Sequence, residues 1–200
     1  MPPAAAFEGM AMSRPPAENR EEKQMDETLL LLPLVGAEWK GRRVAFGDSQ
    51  AQVEEIFGPA NAVKNSWYYF DNRLRFDFDA EGKVEFIECG GSEGGLKPLI
   101  YGAHVFETDA GALLELLERE NAGDVDDSEA GYCYAFRDIS VGVYRETTPE
   151  DVEEMIASMR AVKDNVTALV SGEIAETVAA ERRRASRWES IGIGRPNYYR

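Results

Sequence analysis

Between residues 47 and 90 the sequence spells one short helix and then three alternating runs, and a chain in that order has few ways to bury its apolar side. Asp48 or Ser49 offers an N-cap, Val53, Ile56 and Phe57 share one helical face, and Gly58 and Pro59 stop it after about ten residues. Residues 67–70, 74–78 and 84–89 are rich in aromatic and branched side chains and are separated by Asp71-Asn72-Arg73 and by Asp79-Ala80-Glu81-Gly82. Strand propensity with turn chemistry at both breaks predicts a three-stranded antiparallel meander. Ahead of it, residues 29–35 and 43–46 read as strands, with Pro33 marking an irregularity.

A similar order starts again after the glycine-rich linker of residues 90–98. Val105 and Phe106 end a strand, Thr108 or Asp109 caps a helix with Leu113, Leu114, Leu116 and Leu117 on its apolar face, and an acidic loop follows. Residues 132–136 and 139–145 then form a hairpin. The expectation is an α+β protein of two degenerate helix-then-hairpin repeats, about 28–90 and 99–146, sharing an antiparallel sheet.

Residues 1–26, with four prolines and no apolar period, read as a flexible leader. From Thr148-Pro149-Glu150-Asp151 a long helix is expected over residues 147–189. Val152, Met155, Met159, Val162, Val166 and Leu169 mark a heptad-like seam, Ser171-Gly172 predicts a kink, and Ile174 and Val178 resume the stripe. Such a stripe suits a coiled-coil partner or packing across a sheet. Residues 190–200 read as a basic tail.

The charge narrows the partners: 37 acids against 22 bases give −15 and a pI near 4.6. Such a field repels phosphate backbones and anionic headgroups and steers basic protein surfaces inward, so neither nucleic acid nor membrane is expected as a partner. The last twenty residues run the other way, with six bases and two acids. Cys89 and Cys133 sit in strand-like runs and read as buried thiols of a reducing compartment. With no membrane-length apolar run and no signal peptide in the N-terminal residues, a cytoplasmic location is expected.

The single histidine, His104, rules out a His-rich metal site and leaves one residue around which a triad would have to be built. No catalytic residue, metal or cofactor is expected. Asp124, Asp126, Asp127 and Glu129 lack the register of a calcium loop and read as a contact for a basic partner. The glycines of residues 90–95 are not followed by a lysine and a helix start, so they read as a hinge instead of a phosphate cradle. In the aromatic runs, alternation sends half of the rings inward and half outward or under the C-terminal helix, and Trp67 and Tyr69 join the four acids as candidate partner-binding residues.

The segment Gly47-Asp48-Ser49, Val53, Ile56-Phe57-Gly58-Pro59, with the aromatic strands and the turn of residues 79–82 before Val84, is similar to the SmpA/OmlA-type domain of outer-membrane assembly lipoproteins. It also resembles the helix-plus-sheet domains of β-lactamase-inhibitory proteins. The rest of the chain, with Gly142 to Arg145 read as Gly-Val-Tyr-Arg and the tail Trp188-Glu189-Ser190-Ile191-Gly192-Ile193-Gly194 before Tyr198-Tyr199, looks like uncharacterised bacterial proteins that include immunity proteins of polymorphic toxin systems. Together with the net charge and the missing catalytic grammar, these resemblances imply a non-catalytic protein-binding module, of immunity type, that neutralises a basic toxin. A homo-oligomer joined through the helical seam is the alternative reading, and an enzyme of unknown reaction the second.

Overall fold

A computed structural model describes residues 28–91, 95–162 and 171–199. Residues 1–26, read as a leader, lie outside them, as do Val166 and Leu169 of the expected seam and the side chains of Val162 and Ile174. The first helix, α1 (Gln50–Phe57), begins where its sequence supplies acceptors for the loose N–H groups of a helix start. Gln52 Oε1 accepts from the Ser49 N–H at 2.9 Å and the Ser49 hydroxyl at 2.8 Å, and Asp48 accepts from the Ala45 N–H at 2.8 Å. Gly58, at φ 79°, ends the helix in the backbone region that favours glycine.

The strands preceding α1 are β1 (Thr28–Leu32), β2 (Gly36–Trp39) and β3 (Arg42–Ala45), and Pro33 sits in the turn between β1 and β2. After α1 come β4 (Asn61–Val63), β5 (Ser66–Tyr69), β6 (Leu74–Phe78) and β7 (Val84–Gly90), the last three being the expected meander. The second half holds β8 (Lys97–Ile100), β9 (Ala103–His104), α2 (Ala110–Asn121), β10 (Val125–Asp126), β11 (Cys133–Phe136) and β12 (Val141–Tyr144). Helices α3 (Pro149–Val162) and α4 (Ser171–Ala185) and strand β13 (Ser190–Gly194) complete the chain. The α+β class stands.

Two sheets form in place of one. The smaller has the order β3-β2-β1-β8-β9, with β1 and β8 parallel, and the larger runs β10-β11-β12-β13-β7-β6-β5-β4, antiparallel throughout. Buried residues of both sheets and of α1 and α2 fall in one continuous core, from Leu29 and Val44 to Phe76, Leu113, Phe136 and Ile193.

Strand β13 is the main departure from expectation. The segment read as part of a basic tail lies at the centre of the larger sheet, where Ile191 pairs with Val143 and Cys89, and Ile193 with Val141 and Ile87. Both isoleucines are fully buried, and their fall between β12 and β7 ties the two halves of the chain together.

The expected long helix is also corrected, because α3 and α4 lie side by side. Arg182 donates to both carboxylate oxygens of Glu153 at 2.7 and 3.0 Å, although 29 residues separate them. A continuous helix spanning that interval would set them about 43 Å apart. Val152, Ile156 and Ala185 form a separate apolar cluster with Met155 and Val178, so the described part of the seam packs within the chain, while Met159 is 42% exposed.

Candidate functional site

The acidic loop is built on α2. Asp109 caps that helix by accepting from the Gly111 N–H at 2.9 Å and the Ala112 N–H at 3.3 Å, and the helix buries Leu113, Leu117 and Asn121 while Glu115, Glu118 and Glu120 face out. Asn121 then fixes the loop: its Oδ1 accepts from the Asp138 and Ile139 N–H groups at 2.9 and 3.3 Å, and its Nδ2 donates to the Asp124 carbonyl at 3.1 Å. Its role was legible only as an asparagine at a helix end.

Along residues 115–138 stand Glu115, Glu118, Glu120, Asp124, Asp126, Asp127, Glu129 and Asp138 against Arg119 and Arg137. Arg137 is clasped by Asp124 at 2.7 Å and Asp126 at 2.9 Å. Hydrogen bonds from Ser128 foremost, then from Arg137, hold the Asp126 carboxyl below the usual carboxylate range. Asp127 is exposed, and Glu129, exposed too, lends its carbonyl to the Tyr132 and Cys133 N–H groups. Neither carboxylate makes an ion pair among the described residues.

Among the described residues, bases of the C-terminal segment pair with acids outside this edge. Arg182 meets Glu153, Arg184 meets Glu189 and Glu146, and Arg195 meets Glu85. Arg145 is turned inward, donating to the Gly131 and Ala185 carbonyls and lying 4.8 Å over the Trp188 ring. Three of the six bases in the last twenty residues, Arg182, Arg184 and Arg195, are thus paired within the chain.

Trp67 and Tyr69 stand elsewhere. β10 and β5 are six places apart in the larger sheet, about 29 Å at ordinary strand spacing, so the aromatic and acidic candidates do not share one site. Register puts Trp67 and Tyr69 on the inner face with Phe76 and Leu74. Trp67 is half-buried with its ring edge-on to Phe78 at 5.1 Å, and Tyr69 is 7% exposed, against Phe57 at 5.3 Å. Phe57 of α1, not a C-terminal helix, covers Tyr69 and Phe76. Among the described residues the Tyr69 hydroxyl has no hydrogen-bond partner, and burial first, then the Glu54 charge, pushes its pKa up to about 12.

Beside Tyr69 is a groove of about 470 Å³ between the end of α1 and the β5–β6 turn. Phe70, Asp71 and Asn72 of that turn are left-handed in succession, at φ 52°, 54° and 66°. The sequence signal was the Asp-Asn pair, since these two tolerate that region better than most residues other than glycine. His104 lies by a pocket of only about 60 Å³, next to a Lys97–Glu107 pair at 3.2 Å, too small for more than a couple of waters. Among the described residues no three His, Cys, Asp or Glu side chains converge on a metal position, and no helix is long and apolar enough to cross a membrane.

Comparison with family models, with curated proteins and with solved structures finds no match to this chain.

Proposed function

We propose that the protein is a non-catalytic protein-binding module whose α2–β10–β11 edge receives a basic protein surface. The observation that supports this is the density of charge there: eight acids and two bases over residues 115–138, with one of the bases clasped by two of the acids. Like charges crowded on an edge repel one another, and a basic partner relieves that repulsion while being steered to it. The loop carrying the charge is pinned by buried Asn121, so little ordering is needed on binding.

The immunity-type reading is the narrower form of this proposal, in which the basic surface belongs to a toxin. The same proposal takes the two halves of the chain as divergent copies of one strand, helix and hairpin unit. What supports that is orientation: β1 and β8 pair in parallel, and β7 and β12 run in the same direction on either side of β13.

The test is capture of partners from the native organism by the immobilised full chain, beside a variant with Asp124→Asn, Asp126→Asn, Asp127→Asn and Glu129→Gln. The expected result is a basic protein held by the wild type, released by salt, and lost with the variant. If the variant retains the same protein, the acidic edge is not the contact.

A further inference from the structure

Two turns at one end of the smaller sheet are built against the preference of their residues. The β8–β9 hairpin closes in two residues, Tyr101 and Gly102, at φ 48° and 82°, a turn whose first place suits asparagine or glycine. The β1–β2 turn, closed by the Val35 N–H donating to the Leu32 carbonyl at 3.0 Å, holds Leu34 at φ 65°, where glycine or asparagine is usual. β1 and β8 are parallel neighbours with Leu30 beside Leu99, so both turns leave the same end of the sheet, about 5 Å apart at their bases. There Leu34, Val35 and Tyr101 are 39%, 43% and 40% exposed, and no charge interrupts them, since residues 28–37 and 98–103 carry none. Strain that holds apolar side chains in water stabilises nothing in the free chain, and a partner that buries them offsets both costs.

What lies beside the turns sets the charge of that partner. Tyr101 stands by the end of α2: burial first, then the Glu120 charge, pushes its phenol pKa upward. Glu120 pairs with Arg119 at 3.1 Å, but Glu115, Glu118, Asp127 and Glu129 make no ion pair among the described residues. A protein interface has an apolar centre and a polar rim, and charge on the rim governs approach and selectivity more than grip. The acidic edge supplies such a rim, and the two turns, next to it through Tyr101 and Glu120, supply a centre. We infer that Leu34, Val35 and Tyr101 are the apolar anchors of the interface that the acidic edge borders. They receive a lysine- or arginine-rich amphipathic segment of the partner, its apolar side on the turns and its basic side on the end of α2.

This inference rests on the reading that the edge receives a basic protein, and it adds the part of the affinity that salt does not screen. The probes are two short peptide amides of equal charge, a leucine–lysine amphipathic helix and the same peptide with every leucine replaced by serine, each titrated into the ¹⁵N-labelled full chain. The leucine peptide is expected to bind about tenfold tighter, with saturable shifts at residues 34–35 and 100–102 as well as 115–129, while the serine peptide shifts the last set alone. Leu34→Asn and Tyr101→Asn, which suit positive φ, should each remove most of that tenfold preference, leave the serine peptide's affinity unchanged, and keep the wild-type urea midpoint or exceed it. A leucine preference that survives in both variants, or no binding of the leucine peptide, overturns the inference. Urea midpoints that fall in both variants overturn it as well, by making these side chains parts of the fold, and so do concentration-dependent shifts at the turns without peptide, which would put a second copy there. The variant with Asp124→Asn, Asp126→Asn, Asp127→Asn and Glu129→Gln separates the two readings: if it binds the serine peptide as the wild type does, the acidic edge fails, and the turns are judged by the leucine preference alone.

Discussion

Tyr199 lies against Gly142, in the space that a side chain at position 142 would fill. Gly142 faces Gly192 across the β12–β13 pair, and a β-carbon at Gly192 would meet the Phe86 ring and the Tyr199 hydroxyl. Two paired glycines thus open a slot on the outer face of the larger sheet, and the end of the chain folds back to fill it. Tyr198 stacks on Phe86 at 4.6 Å, and burial pushes the pKa of the Tyr199 phenol upward. Aromatic cover restores to sheet glycines the packing that their missing side chains deny them.

Gly142→Val is therefore expected to expel the Tyr199 ring and to cost about 1–3 kcal/mol. Tyr199→Ala is expected to cost about 2 kcal/mol, below the figure for a fully buried aromatic because the ring keeps some exposure. Both act on one contact, so the double variant should lose clearly less than the sum of the two in urea unfolding. Additive losses would show that the ring and the glycine are not coupled.

Strand β13 supplies the second expectation. Ile191→Ala removes a fully buried side chain from the strand joining β12 to β7 and should cost about 2–5 kcal/mol. Truncation after Glu189 removes the strand itself and should abolish cooperative unfolding when it is followed by circular dichroism. A truncated chain that unfolds as the full one does would mean that β7 and β12 need no bridge.

What could be read from the sequence was local. Ser49 and Gln52 announce α1, Asp109 announces α2, and the Asp-Asn and Asp-x-x-Gly breaks announce the meander, because each signal acts within a few residues. The run Ser190 to Gly194 gave no such signal: it read as part of a basic tail, and only pairing with β7 and β12, about 50 or more residues away, makes it a strand. The apolar stripe of the C-terminal helices is the same whether the helix runs on or doubles back, and Glu153 meeting Arg182 decides it. Acidity was visible in the composition, while the clasp of Arg137 by Asp124 and Asp126 was not. Alternation placed Trp67 and Tyr69 on one face of their strand but could not say that Phe57 of α1 packs on Tyr69 there.

Acid should loosen the α3–α4 hairpin through Asp151. Its carboxylate accepts from the Thr148 N–H and hydroxyl at 2.8 Å each and from the Tyr132 hydroxyl at 2.9 Å, and these bonds, Thr148's foremost, hold it below the usual carboxylate range. A folded pKa below the unfolded value of about 3.9 gives stabilisation that is present above that pH and lost as pH falls through the folded pKa. Amide exchange at the start of α3, measured relative to β13, should therefore quicken between about pH 5 and 3 in the wild type. Asp151→Asn has no carboxyl to titrate, and the same acid response in that variant would exclude Asp151 as the cause.

Tyr69→Phe should raise stability although it deletes a polar group. A buried hydroxyl without a partner carries a desolvation cost of about 1–3 kcal/mol, and phenylalanine keeps the ring against Phe57 and Phe76 while removing that cost, so a gain of about 1 kcal/mol is expected in urea. The pH dependence gives an independent reading. With the folded pKa pushed up to about 12 against about 10 unfolded, Tyr69 destabilises the fold as pH rises from about 10 through 12, because the unfolded phenol ionises first. The advantage of the variant should be constant below about pH 10 and grow above it. A loss of stability in Tyr69→Phe would mean that the hydroxyl already has a partner in solution.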